Sequence, residues 1–207
     1  MPIGPDATKK GSTMTKVTFA NQTALYPKPT VLVGAHVDGK PNFLTIALAG
    51  FICGDPPTIA VGIRPSRYTL KGIRQNMAFS VNIPSVDMVT ETDYCGIVSG
   101  ANVDKVSNCG FTIFYGTLDS APLIEQCPVA MECEVLHILK LGSHDAIIGT
   151  VVETHVSEDC LTEGAPDITK INPIAFSREK HSKYYAIGAC VGQAFSVGLE
   201  FKKKMTS

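Results

Sequence analysis

Two short apolar runs, residues 30–37 and 43–49, flank the dipeptide Asp38-Gly39 in the stretch PTVLVGAHVDGKPNFLTIALAG. Asp-Gly readily takes positive φ at both centres of a two-residue turn, and that turn closes antiparallel hairpins. The same stretch contains Gly34, four residues, then Gly39-Lys40, which is the spacing of a nucleotide P-loop. A P-loop needs a Ser or Thr hydroxyl after the Lys, at the start of a helix. Here that position is Pro41, and a second β-branched run follows it. The stretch is therefore predicted to be a β-hairpin and not a phosphate loop.

Further strand-like runs occupy residues 58–63, 78–83, 111–118, 129–139 and 146–156, with a weaker one at 194–197. Two helical stretches interrupt them. One starts near Thr69 and sets Leu70, Ile73 and Met77 on one face. The other follows Ser85, a candidate N-cap, and carries Val89 and Tyr94 towards Gly96. Strands in succession with short turns and few helices favour an antiparallel barrel over a parallel βαβ sheet. No Rossmann G-x-G-x-x-G occurs.

The 207 residues suffice for one sizeable domain, expected over 17–201 between a mobile tail (1–16) and a basic tail (202–207). A net charge of −1 offers nothing to a nucleic-acid partner. No run approaches the ~18 apolar residues of a membrane span. Residues 1–16 lack the apolar core of a signal peptide, so a cytoplasmic location is expected. An apolar content of 44% suggests a buried subunit interface. The seven cysteines contain no C-x-x-C, the nearest pair being Cys127 and Cys133. They are expected to be reduced and mostly buried, with no metal bound by them. Histidines 36, 137, 155 and 181 lack i, i+4 pairing and are expected to be structural.

Three loops carry candidate chemistry. Arg64-Pro-Ser-Arg-Tyr-Thr69 joins a strand to the first helix, whose N-terminal amides attract anions. Ser66 and Thr69 add hydroxyls there, and Arg67 adds a planar charge suited to phosphate. The same residues are also compatible with an ordinary helix cap and solvated arginines. Ser99-Gly100, followed by Lys105, forms a second loop with a lone base, which would also be compatible with a plain surface lysine. Gly142-Ser143 turns the chain so that His144 lies at a strand end. There it is able to donate to an acceptor, or simply to face water.

Taken in order, VLVGAHVDGKPNFLTIALAGFICGDPP, IRPSRYTLKGI, FSVNIP, TDYCGIVSG, VDK, LGSHDAIIG and INPIAF resemble the flavin reductase-like FMN-binding split barrels, most closely the flavoredoxin branch. The similarity covers residues 29–198. It implies a six-stranded antiparallel Greek-key barrel with added helices, and a homodimer binding FMN non-covalently at the subunit boundary. Asn42, Thr45 and the segment Ala47, Leu48, Ala49 and Gly50 are then implied to face the isoalloxazine ring. Ser66, Arg67, Tyr68 and Thr69 would take the phosphate. Ser99, Gly100 and Lys105 would reach the flavin's polar side, with His144 and Phe176 as further contacts. Relatives often carry Trp where this chain has Leu48, and this chain has no Trp at all. Leu can cover a ring but cannot stack on it as an aromatic does.

The chemistry implied is the cofactor's own, without a protein nucleophile or an essential general base. Electrons would come from NADH, NADPH or a redox-protein partner. A non-catalytic FMN-binding electron carrier is the alternative, and a thiol-based metal or redox barrel a weaker third.

Overall fold

The computed structural model describes residues 15–20, 23–178, 180–199 and 201; residues 1–14 of the tail expected at 1–16, and all of the tail expected at 202–207, lie outside them. The strands and helices, in chain order, are β1 (Lys28–Pro29), β2 (Val31–Val37), β3 (Lys40–Ile46), β4 (Ala49–Gly54), β5 (Pro57–Ile63), α1 (Tyr68–Asn76) and β6 (Ala78–Ile83). There follow α2 (Val89–Ile97), α3 (Lys105–Cys109), β7 (Ile113–Phe114), β8 (Leu123–Ile124), β9 (Val129–Lys140) and β10 (Asp145–Val156). The chain continues with β11 (Leu161–Thr162), β12 (Ala165–Pro166), α4 (Ile168–Ile171), β13 (Ile174–Ser177) and β14 (Lys183–Ala186).

The protein is mainly β, and its strand pairs are antiparallel as the succession of short runs predicts. Seven strands form the principal sheet, in the order β3-β2-β6-β9-β10-β5-β4. The expected Asp-Gly turn is present: Asp38 and Gly39 have φ of 52° and 78°, and Val37 pairs with Lys40. This register puts Val31, Val33, Ala35, Leu44 and Ile46 into one core with Val61, Ile63, Phe79, Cys133 and Ile147. Burying these side chains is the main favourable term of the fold.

Helix α1 lies on that core through Leu70 and Ile73, both fully buried. Met77, expected on the same face, ends the helix in a left-handed conformation and stays half exposed. The helix approaches β2 so closely that a Cβ at Gly72 would stand 2.1 Å from the carbonyl oxygen of His36. No larger residue fits there without separating the two elements.

Several boundaries differ from expectation. The run 43–49 breaks after Ile46, and β4 begins at Ala49 to form the far edge of the sheet. Of residues 111–118 only Ile113–Phe114 is a strand, because the amides of Gly116 and Leu118 donate to the Glu132 carboxylate and not to a ladder. Residues 194–196 form a turn and 197–199 are helical, with Phe195 at φ 60°. Ser85 starts a 3-10 turn, Val86–Met88, without capping it through its side chain, and α2 begins after that turn. Lys105 opens a short helix instead of sitting on a loop. Among the described residues no helix is long and apolar enough to cross a membrane.

The Gly72 contact gives a direct stability prediction. Gly72→Ala should lower unfolding free energy by about 1–3 kcal/mol, the scale of overpacking, although alanine is the better helix former. Urea denaturation monitored by circular dichroism measures this; a more stable variant would mean that α1 and β2 can move apart freely.

Candidate functional site: a cationic cleft at the start of helix α1

Strand β5 ends at Ile63, and the turn that follows is closed by the Arg67 amide donating to the Arg64 carbonyl at 2.9 Å. Arg67 is the N-cap of α1, with φ −78° and ψ 129°. An arginine cannot accept a hydrogen bond, so α1 has no side-chain cap, and its first turn holds no acidic residue. The amides and partial positive charge of this terminus open into a cavity of roughly 320 Å³. Arg64, Ser66, Arg67, Tyr68 and Thr69 form one wall. The opposite wall is Val98, Ser99, Gly100 and Lys105, with Leu44 of β3 at the base. No carboxylate lines the cavity, and neither arginine has an ion-pair partner among the described residues.

One hydrogen-bond chain fixes the geometry. Asn42, buried on β3, donates from Nδ2 to Thr69 Oγ1 at 2.7 Å. The Thr69 hydroxyl therefore has its own proton left to donate. The Asn42 amide also presses on the facing loop, since a Cβ at Gly100 would stand 1.7 Å from its Oδ1. Only glycine lets the Ser99-Gly100 loop come this near. A second cavity of roughly 530 Å³ adjoins the first, sharing Tyr68, Gly100 and Lys105, and Asn42 lines that one.

Lys105 is no surface lysine. It is 4% exposed, and its ammonium donates to the carbonyls of Phe43 at 2.8 Å and Cys95 at 2.7 Å. An ammonium has three N–H donors, so one remains for the cavity. Burial lowers its pKa and the nearby Arg67 charge lowers it further, while Cys95 opposes the shift. Asp104 caps this helix, accepting from the Ser107 amide at 3.0 Å, and so sets Lys105 at its first position.

The remaining predicted residues lie elsewhere. Strand alternation separates Thr45 from Asn42 and Leu44, and its hydroxyl donates to the Thr92 carbonyl of α2. Leu48 covers Gly62, whose amide donates to the Leu48 carbonyl at 2.7 Å; Ala49 and Gly50 pair with Val61 and Ala60. Ala47 precedes this segment and lines neither cavity. The pairing of Asp145 with Ile63 sets His144 beside Arg64 at the cleft's edge. Burial and the Arg64 charge lower its pKa, so at neutral pH it is the uncharged imidazole, with Nδ1 2.9 Å from Ser143 Oγ. Phe176 lies in the three-stranded sheet of β1, β13 and β14, its ring 5.8 Å from Tyr184, and lines neither cavity. Sequence reading missed Arg64, Leu44 and Val98 as cavity residues; Arg64 opened the recognised motif, whereas Leu44 and Val98 had no signal beyond being apolar.

All seven cysteines are free. Cys95 and Cys133 are buried, which pushes each thiol up to about 12. Most of the cysteines are buried, as expected; Cys53 and Cys190 are the exposed ones.

Lys105→Met keeps the apolar stem and leaves two buried carbonyls without their donor. It should cost about 1–3 kcal/mol of stability. Equal or greater stability in urea titrations would mean that desolvating the ammonium outweighs its two hydrogen bonds.

A sequence model of the family described as the flavin reductase like domain matches residues 23–183. The flavoredoxin of Methanosarcina acetivorans superposes with a TM-score of 0.86 at 36% identity, over 91% of this chain and 100% of that one. The flavoredoxin of Desulfovibrio vulgaris (Miyazaki F) gives 0.83 at 38% identity, over 89% and 100%. An uncharacterised protein of Archaeoglobus fulgidus is 30% identical over 70% of this chain and 80% of its own length. The split-barrel fold and the family follow together: this chain belongs to the flavin reductase-like proteins.

Proposed function

We propose that the protein binds FMN non-covalently in the cleft at α1 and serves as a flavoredoxin-like electron-transfer protein, an oxidoreductase fed by NADH, NADPH or a redox partner. The observation that carries this reading is the uncapped N-terminus of α1, ringed by Ser66, Arg67, Thr69 and Lys105 without a carboxylate. A phosphomonoester suits that set: backbone amides and hydroxyls donate to its oxygens, and the Arg67 fork can engage two of them. Likeness to two flavoredoxins at 36% and 38% identity supports the flavin class.

When bound, FMN supplies a centre that accepts a hydride or electrons and passes them on. The chain's residues hold and bias that centre. Asn42 fixes the Thr69 hydroxyl towards the phosphate, and Gly100 lets the second loop approach. Lys105 carries a positive charge in a partly dry wall, where it favours negative charge on the reduced flavin. His144, uncharged, offers a hydrogen bond at the edge. No described residue of the cleft has the setting of a nucleophile.

The edge strand β4 exposes Phe51 and Ile52, 70% and 53% accessible, beside half-exposed Leu48. An apolar edge of this kind is a pairing surface. We take it as the homodimer boundary, next to the flavin.

Arg67→Ala should weaken FMN binding by about 1–3 kcal/mol and leave riboflavin, which has no phosphate, almost unaffected. Equal losses in parallel fluorescence titrations would remove the phosphate assignment. Anaerobic reduction by NADH and by NADPH, compared in parallel, identifies the donor; no bleaching with either would leave a redox protein as the source. For the dimer, flavin occupancy should fall as the protein is diluted through its dissociation range. Sedimentation read at protein and flavin wavelengths checks this, and a fully loaded monomer would refute the shared boundary.

A further inference from the structure

Away from the cleft, β9 and β10 pair Glu132 directly opposite Glu153, next to a bulge between Val151 and Glu153. His155 follows two residues later, so it shares the face of Glu153. The segment after β7 crosses this face. Glu132 is fully buried and accepts from the amides of Gly116 at 2.6 Å and Leu118 at 2.9 Å; Glu153 accepts from Thr117 Oγ1 at 3.0 Å. His155 Nε2 stands 3.7 Å from Glu153 Oε2, is shielded from solvent, and has no hydrogen-bond partner. The Phe114 ring closes one side, edge to face with the imidazole at 5.3 Å.

This arrangement is out of balance as it stands. Like charges directly opposite on a sheet repel, and a buried carboxylate needs a compensating charge. Glu132 has only neutral amides, and among the described residues no Lys or Arg forms an ion pair with it or with Glu153. A protonated His155 would supply one positive charge against two negative ones. A divalent cation supplies both and also takes the orphan Nε2.

All three donors crowd the backbone at Gly116. A Cβ built there would stand 2.5 Å from Glu132 Oε1, 2.7 Å from His155 Nε2 and 2.9 Å from Glu153 Oε2. Three donor atoms thus converge beside one backbone position that tolerates no side chain, and they lie within 4.8 Å of one another. Ligands at 2.0–2.2 Å around tetrahedral zinc are roughly 3.3–3.6 Å apart, so the cluster would have to contract by at most roughly 1.2–1.5 Å between its farthest donors. Imidazole with two carboxylates suits zinc and its first-row neighbours, whereas calcium and magnesium favour oxygen alone.

We infer that Glu132, Glu153 and His155 form a binding site for a divalent transition-metal ion of the zinc class, which ties β9 to β10 where the 115–119 segment crosses them. The Gly116 and Leu118 amides and the Thr117 hydroxyl orient the carboxylates from outside, the role that outer hydrogen bonds play at metal centres. The site is independent of the flavin cleft.

The test uses full-length protein, stripped with a chelator and alkylated in its native state so that exposed Cys53 and Cys190 bind no metal. Calorimetric titration with Zn²⁺ should give one equivalent per chain, and Zn²⁺ should raise the thermal midpoint. Losing an outer partner typically costs 10–100-fold in affinity, so His155→Gln, which removes a ligand, should cost about 100-fold or more. Gly116→Ala, which keeps every ligand but presses a methyl group against all three donor atoms, should also abolish uptake. Glu153→Gln, at a partly exposed position, serves if the glycine variant does not fold. Absence of zinc uptake by the wild type would overturn the proposal and leave a protonated His155 as the balancing charge. Equal uptake by wild type and His155→Gln would overturn it as well.

Discussion

The ammonium of Lys105 holds the cleft together. It reaches from the first turn of α3 to a carbonyl of β3 and another of α2, so three elements meet on one charge. Burial has a cost, seen in its lowered pKa. Its folded pKa lies below the unfolded value, so the unfolded chain binds more protons between the two, and stability rises with pH through that alkaline window. At neutral pH the protein carries this penalty. The return is a fixed positive charge in a wall where water screens little, available to any anion that enters.

Around that charge the cleft follows a simple electrostatic logic. Arg64, Arg67, Lys105 and the open end of α1 all present positive potential, and nothing acidic lines the cavity to cancel it. Such a set repels itself when empty and is relieved by an anion, so binding and local stability are coupled. The Glu132, Glu153 and His155 cluster inverts this pattern, with two carboxylates gathered beside one imidazole. A formal net charge of −1 conceals both. Composition averages over a surface; binding depends on where the unbalanced charge is concentrated.

Much of the fold was legible because it rests on local chemistry. Asp38-Gly39 takes positive φ whatever surrounds it, and the β-branched runs on either side have only to pair. The 78–83 strand and the helix beginning near Thr69 likewise carried their own periodicity. Failures came where a distant group decided the outcome. Residues 111–118 have β-forming composition, yet the strand stops at Phe114 and the amides of Gly116 and Leu118 turn to Glu132, over ten positions further along the chain. The 194–197 run is largely apolar but pairs with no strand among the described residues.

The sequence by itself determined the hairpins, the short α1 and the family, because turn chemistry, side-chain period and an ordered set of motifs are properties of neighbouring residues. It also marked Ser66, Arg67 and Thr69, since a strand-to-helix junction presents amides wherever it occurs. Only the tertiary structure decided that Lys105 is buried, that Asn42 spends its amide on Thr69, and that Thr45 turns to α2 instead. It alone brought His155 to Glu132 and Glu153. The physical reason is the same in each case: these contacts depend on strand register and on the close approach of distant side chains to the backbone at Gly100 and Gly116, and neither register nor approach distance is encoded by any one stretch of residues.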